Sequence, residues 1–341
     1  MTERSAMKRR VRGLLHRKWH GPLLALVVVA LPLAVVGALV VWLLGLPTMQ
    51  GQLAERFANA QGVAGWAVQV ASLLYSLDSL DYTGIIAGLP GLAVLAGVWL
   101  FIFLPLQVSL SGYFLSFLRG KNPRVRDAYS VFSAKYPRAL GGMLYMLLWL
   151  LLWGLLTIAV PAALYMGGER LNAWLTASTT LNVSMIAFAV ELILCLLAYV
   201  IFTLVFINRM LAYALTPICL AAQPRLPAYR AVRLSRKLMR GSKWRLVLLV
   251  LSFLTYYLPA LIAFVLWAVL PMVAPLLGLS EFFQSGLRLF LLIVMAVNQV
   301  VLVYVAPYMT ACVHAFYIER KREALMDEEV TPDDFVKHAH E

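Results

Sequence analysis

Five polar side chains interrupt otherwise apolar runs of this 341-residue sequence, and chemistry would begin at those positions. Glu191 lies in AFAVELILCLL, Gln107 in FLPLQVSL, Arg209 in FINRML, and Asn298-Gln299 in the last long run. An ionisable group in hydrocarbon is costly, so it defaults to a functional hypothesis. Glu191 lies ~12 Å from the outer end of its run at about 1.5 Å per residue, and Asn298 and Gln299 lie ~15 Å from the outer end of theirs. The matching depths allow a hydrogen bond from Glu191 to either amide. Arg209 follows Glu191 by 18 residues, ~27 Å along one helix, too far for a direct pair. It is expected to snorkel to the inner surface. Two readings compete for Glu191: a proton- or cation-coupling carboxylate, or a hydrogen-bonded glue residue between helices. The structural reading is favoured, because transport sites combine several convergent polar groups with helices broken near the midplane.

Enzymatic signatures are absent from the sequence. It holds no HExxH, GxSxG or phosphate-loop pattern. Of five histidines four are terminal and only His314 lies within an apolar run. Cys195, Cys219 and Cys312 are far apart, without the CxxC spacing of a metal or redox site, and read as small buried hydrophobes. Asp78 and Asp81 in an outer loop read as solvated. No catalytic residue, metal or cofactor is expected.

The elements that must position these side chains follow from composition. The chain is 62% apolar and 13% charged, with a mean hydropathy of +0.82. Such a balance excludes a soluble globule, a disordered chain, a disulfide scaffold and a coiled coil. Six runs reach the ~20 residues that span a bilayer: 21–46, 84–118, 139–166, 183–222, 246–278 and 288–318. Backbone groups in lipid must be satisfied internally, so the runs are helices. The first has a basic leader but exceeds a signal-peptide core and reads as a retained span. Runs two, four and six are longer than the membrane requires and carry Pro105, Pro217 and Pro307, where kinks are expected.

Charge sets the orientation. The N-terminal arm, 119–138, 223–245 and 319–341 together hold 25 of the 29 Lys and Arg. These segments alternate with the poorly charged connectors, which makes them cytoplasmic, with both termini inside. In 228–244, Ala231, Val232, Leu234, Leu238 and Met239 share a helical face, flanked by Arg233, Arg236, Lys237 and Arg240. That pattern suits a helix lying among anionic headgroups. Lys18-Trp19 and Lys243-Trp244-Arg245 precede spans one and five, with the tryptophans as interfacial anchors. The expected partners are anionic headgroups of the bilayer, together with a membrane-protein partner or a second copy; nucleic acid is not expected. A three-fold repeat of basic segment, outward span and proline-bearing return span is suggested by this pattern, with 129–138 in the middle position. Residues 1–318 form the membrane domain and 319–341 an acidic tail, with a helix start at Thr331-Pro332 and a solvated character preferred over docking on the basic connectors.

The stretch AYRAVRLSRKLMRGSKWRLVLLVLSF, Ala228–Phe253, is similar to the hallmark segment of a bacterial integral-membrane family, domain of unknown function 975. Gly112–Phe132 and Tyr308–Tyr317 resemble it too, while the 47–83 loop, the third outer loop and the tail depart from it. The resemblance implies a multi-span bacterial membrane protein and no activity. The expectation is therefore an all-α, six-span, multi-pass protein of the bacterial inner membrane. Its role would be non-enzymatic contact with lipids or partners. The alternative is a small transporter or channel using Glu191 with Asn298 or Gln299.

Overall fold

The computed structural model describes residues 3–16, 18–43, 93–133, 135–176, 181–276, 278 and 280–327. The 47–83 loop, whose semi-apolar stretch Gly62–Leu77 reads in the sequence as a helix resting on the outer leaflet and which holds Asp78 and Asp81, lies outside the described residues, as does the helix start at Thr331.

Among the described residues every regular element is helical: α1 Glu3–His16, α2 His20–Leu43, α3 Ala93–Leu118, α4 Tyr136–Thr176, α5 Leu181–Tyr213, α6 Thr216–Ala222, α7 Ala228–Leu238, α8 Lys243–Leu251, α9 Leu254–Leu276 and α10 Glu281–Met326. Five stretches are long and apolar enough to cross a membrane alone, in α2, α3, α4, α5–α6 and α10. The pair α8–α9, bent by 58°, makes a sixth. Leu148, Leu151, Leu155 and Ile158 on α4 and Ile193, Leu196 and Leu204 on α5 are all exposed. A protein dissolved in water does not carry continuous apolar faces of this extent, and lipid chains solvate them at no such cost.

The three prolines behave differently. Before Pro105 the helix widens into a π turn over Trp99–Phe103, in which Leu104 N–H donates to the Trp99 carbonyl. That wider turn accommodates the donor the ring lacks. At Pro217 the chain breaks between α5 and α6, with Pro at the start of the new helix, where its missing N–H costs nothing. Pro307 does not break its helix; α10 runs through it for 46 residues. The sharpest bend falls elsewhere, at Ser252–Phe253, where no proline stands. There the Ser252 hydroxyl donates to the Leu249 carbonyl, and the backbone tightens to Phe253 N–H→Val250 O at 2.9 Å.

The described residues fall into two compact units. The first comprises 1–130 and 247–316. In it α1 buries Val11 and Leu15, and α2 packs on α3 and on a 3₁₀ turn, Val125–Tyr129. Ser109 donates to the Ala128 carbonyl, and Tyr129 donates to the Val28 carbonyl at 2.6 Å. The second unit comprises 131–246 and 317–341. Its frame is the α4–α5 pair, and α4 at 41 residues is ~60 Å long, twice the hydrocarbon core. Gly154, Thr157, Pro161 and Gly168 line the α4 side of that contact, meeting Phe206, the Phe202 carbonyl, Cys195 and Glu191 in turn. Small residues in such a stripe let backbones approach closely where no hydrophobic force drives helices together.

Candidate functional site

Glu191 is 8% exposed and sits on α5 directly over Gly168 of α4, where a Cβ would collide with its carboxylate. Gly168 precedes Glu169-Arg170, the charged end of the apolar part of α4. The two amides expected to reach Glu191 belong to the first unit. There Asn298 Nδ2 donates to the Tyr256 carbonyl at 3.0 Å, and Gln299 is exposed. Gln107 is half-buried on α3, and its carbonyl accepts the Ser111 hydroxyl at 2.8 Å. Arg209 places its guanidinium 4.6 Å from the Trp153 ring centre, a cation–π contact that holds the charge against α4.

The basic segment 228–245 forms a built surface. Helix α7 buries Ala231, Val232, Leu234, Ser235 and Leu238 against α4, α5 and α6, and Met239 is buried just beyond its end. The apolar face expected to enter the headgroup layer therefore packs on protein. The reason is the gap at Pro217: it turns the chain and exposes the end of α5, and Ser235 donates to the Ala212 carbonyl there at 3.0 Å. On the opposite face Arg233, Arg236, Lys237 and Arg240 are exposed, and Trp244 is 67% exposed. Arg236 lies 5.9 Å from the Tyr213 ring centre, and Lys243 donates to Asn208 Oδ1 at 2.7 Å.

Two arginines that the sequence reading passed over hold this surface in place. Arg138 sends Nε to the Leu226 carbonyl (2.6 Å), Nη1 to Leu220 (3.2 Å) and Nη2 to Gln223 (2.5 Å), gathering the end of α6 and the loop into α7. Arg320, 6% exposed, donates Nε to the Leu238 carbonyl at 2.9 Å and Nη2 to Arg240 at 3.1 Å. The last carbonyls of a helix lack partners and carry partial negative charge, so a cation there satisfies both needs. Gly241, at φ +73°, completes the turn. Glu323 accepts both terminal nitrogens of Arg245, at 2.9 and 3.1 Å, and those bonds hold its carboxyl below the usual range. The segment 319–326 is thus helical and paired, where a solvated tail was preferred.

In the first unit Lys8 and Arg12 instead meet partners within the protein. Lys8 of α1 reaches the Ser252 carbonyl at 3.4 Å, at the break of span five, and lies 4.2 Å from the Phe253 ring centre. Partial burial draws its ammonium below the usual lysine range. Tyr308 donates to the Lys8 carbonyl at 3.3 Å, and Arg12 lies over the Tyr308 ring. Trp19 stacks on Tyr304 at 4.6 Å with its indole nitrogen buried. The shared Lys-Trp pattern thus gives one packed tryptophan and one exposed one. Lys18 donates to Asn122 Oδ1, echoing Lys243 and Asn208. The middle position of the suggested repeat holds the end of a 3₁₀ turn, turn residues 130–133 and the start of α4 at Tyr136, where α1 and α7 precede the outer two.

Among the described residues no group of three His, Cys, Asp or Glu is placed to hold a metal ion. The model of a family described as protein of unknown function (DUF975) matches residues 1–323. No curated protein and no solved structure matches the chain.

Proposed function

We propose, for a chain that belongs to the DUF975 family, a non-enzymatic role in the bacterial cytoplasmic membrane: it holds anionic phospholipid headgroups against a rigid basic surface. The observation that carries this reading is the division of α7, whose apolar face is consumed by protein packing while Arg233, Arg236, Lys237 and Arg240 face outward. Long basic side chains on a fixed helix pair with phosphates without paying for the ordering of the helix itself. Trp244 sets the depth, since an indole settles between headgroups and chains. Arg138 and Arg320 serve this reading from behind, as positioning residues that keep α7 in register. Glu191 is a packing residue of the α4–α5 contact.

The test uses the full chain purified with native lipid, with retained lipids weighed by native mass spectrometry. Replacing Arg233 and Arg240 together by Gln is expected to strip anionic phospholipid while leaving the unfolding temperature unchanged. Undiminished retention would overturn the reading. For the transport alternative, Glu191→Gln in sealed vesicles is expected to leave ion-coupled flux unaltered; intact assembly with abolished flux would reverse the assignment.

A further inference from the structure

We propose that the first unit holds the phosphate of one phospholipid headgroup in a discrete pocket beside the start of α2, with Lys18 and Lys121 as its cationic walls. The cavity measures about 300 Å³ and is lined by Gly13, Leu14, Lys18, Phe117, Gly120 and Lys121. That volume is at the lower end of pockets that take small ligands, roughly 300–1,000 Å³. It admits a phosphate with its ester-linked head, while acyl chains remain outside along the spans.

Among the described residues the lining is chemically one-sided: two lysines, two apolar side chains, two glycines and no carboxylate. An ammonium carries three donors. One donor of Lys18 goes to Asn122 Oδ1, which fixes the head of the side chain and leaves the others for a ligand. The other cation is fixed through its backbone. α3 ends in a left-handed turn at Gly120, φ +79°, with Gly120 N–H donating to the Phe117 carbonyl at 3.0 Å and Lys121 N–H to Ser116 at 3.1 Å. This double bond pattern is a rigid helix end. Both spans that border the cavity terminate there, α2 at His20 and α3 at Leu118, which sets it at headgroup level. Leu14 and Phe117 offer apolar wall to the glycerol region. A soluble anion has no use for such walls, and a phospholipid uses both kinds.

This inference shares with the proposal above the premise that the basic ends of the spans face an anionic leaflet, and it uses different residues. The experiment therefore reads both separately. Full-length protein in bilayer discs of phosphatidylcholine with a minority of phosphatidylglycerol is analysed by native mass spectrometry. The variants are Lys18→Gln with Lys121→Gln, Lys121→Gln alone, and Gly13→Leu. Gly13 has open space around its Cβ position, so Gly13→Leu obstructs the cavity without touching a charge. The expected result is the loss of one tightly held phosphatidylglycerol per chain in the double variant and in Gly13→Leu, with the lipid held by α7 retained. Lys121→Gln, an exposed substitution that leaves the fold intact, is expected to weaken that lipid about tenfold. An unchanged count in both the double variant and Gly13→Leu overturns the pocket, and if the α7 variant still strips lipid the broader proposal stands alone. Loss in the pocket variants with none in the α7 variant supports the pocket and sinks the α7 reading. Displacement of the lipid by millimolar inorganic phosphate would assign the site to free phosphate and overturn the lipid.

Discussion

Helices α1 and α7 are both short, basic and amphipathic, and both bury apolar side chains in protein, Val11 and Leu15 in α1, yet they use their charges differently. In α1, Lys8 turns toward a broken helix and an aromatic ring, and Arg12 toward Tyr308. In α7 the charges point outward, and the carbonyls at its end are satisfied by Arg320, brought from the far end of the sequence. The difference lies in what each helix meets. α1 meets a carbonyl freed by the Ser252–Phe253 break, so its own lysine becomes the partner. α7 arrives with its end already capped, so Arg233 and Arg240 stay on its exposed face. A basic cluster on a membrane protein is therefore not one kind of feature: part is structural and part is surface.

The comparison can be broken most forcefully at Arg320. Arg320→Met removes the guanidinium from the Leu238 and Arg240 carbonyls, with the Ser242 hydroxyl remaining as a donor to Leu238, and we expect a loss of about 2 kcal/mol, read as thermal unfolding in detergent. A smaller value would mean that α7 is held by its apolar face alone. Next comes Gly168→Ala, which forces a methyl group into the Glu191 carboxylate; about 2 kcal/mol is expected, and Glu191→Ala in the same chain should restore most of it. Without that rescue the two residues do not share one notch. Lys8→Met should cost about 1 kcal/mol and raise the rate of protease cleavage within residues 3–16, while Arg10→Met, at an exposed position of α1, should change neither.

The smallest effect is expected at Glu323. Its carboxyl is held below the usual range, so the Arg245 contact contributes fully above the ordinary carboxylate pKa of about 4.3 and fades as pH falls through the lowered value. The pair is partly exposed, which limits its worth to a few tenths of a kcal/mol at neutral pH. Glu323→Gln should flatten that acid limb of the stability curve, and an unchanged limb would place the pH dependence elsewhere.

Local pattern carried much of this. The six apolar runs could be read from length alone, because a bilayer demands about 20 residues whatever the neighbours are. The apolar face of α7 was visible at helical spacing, and Pro217 marked a break. The bend at Ser252–Phe253 was not visible: a serine in a helix has several uses, and only the Leu249 carbonyl selects this one. Nor were Arg138 and Arg320 distinguishable from the other basic residues around them, since their role depends on carbonyls 80 or more positions away.

The sequence by itself determined that this chain is a set of membrane-spanning helices, because hydrophobic length and proline chemistry are properties of a segment and its solvent. Only the tertiary structure decided which cations are spent inside the protein and which face outward, because a charge is assigned by the partner it meets, and those partners come from distant parts of the chain.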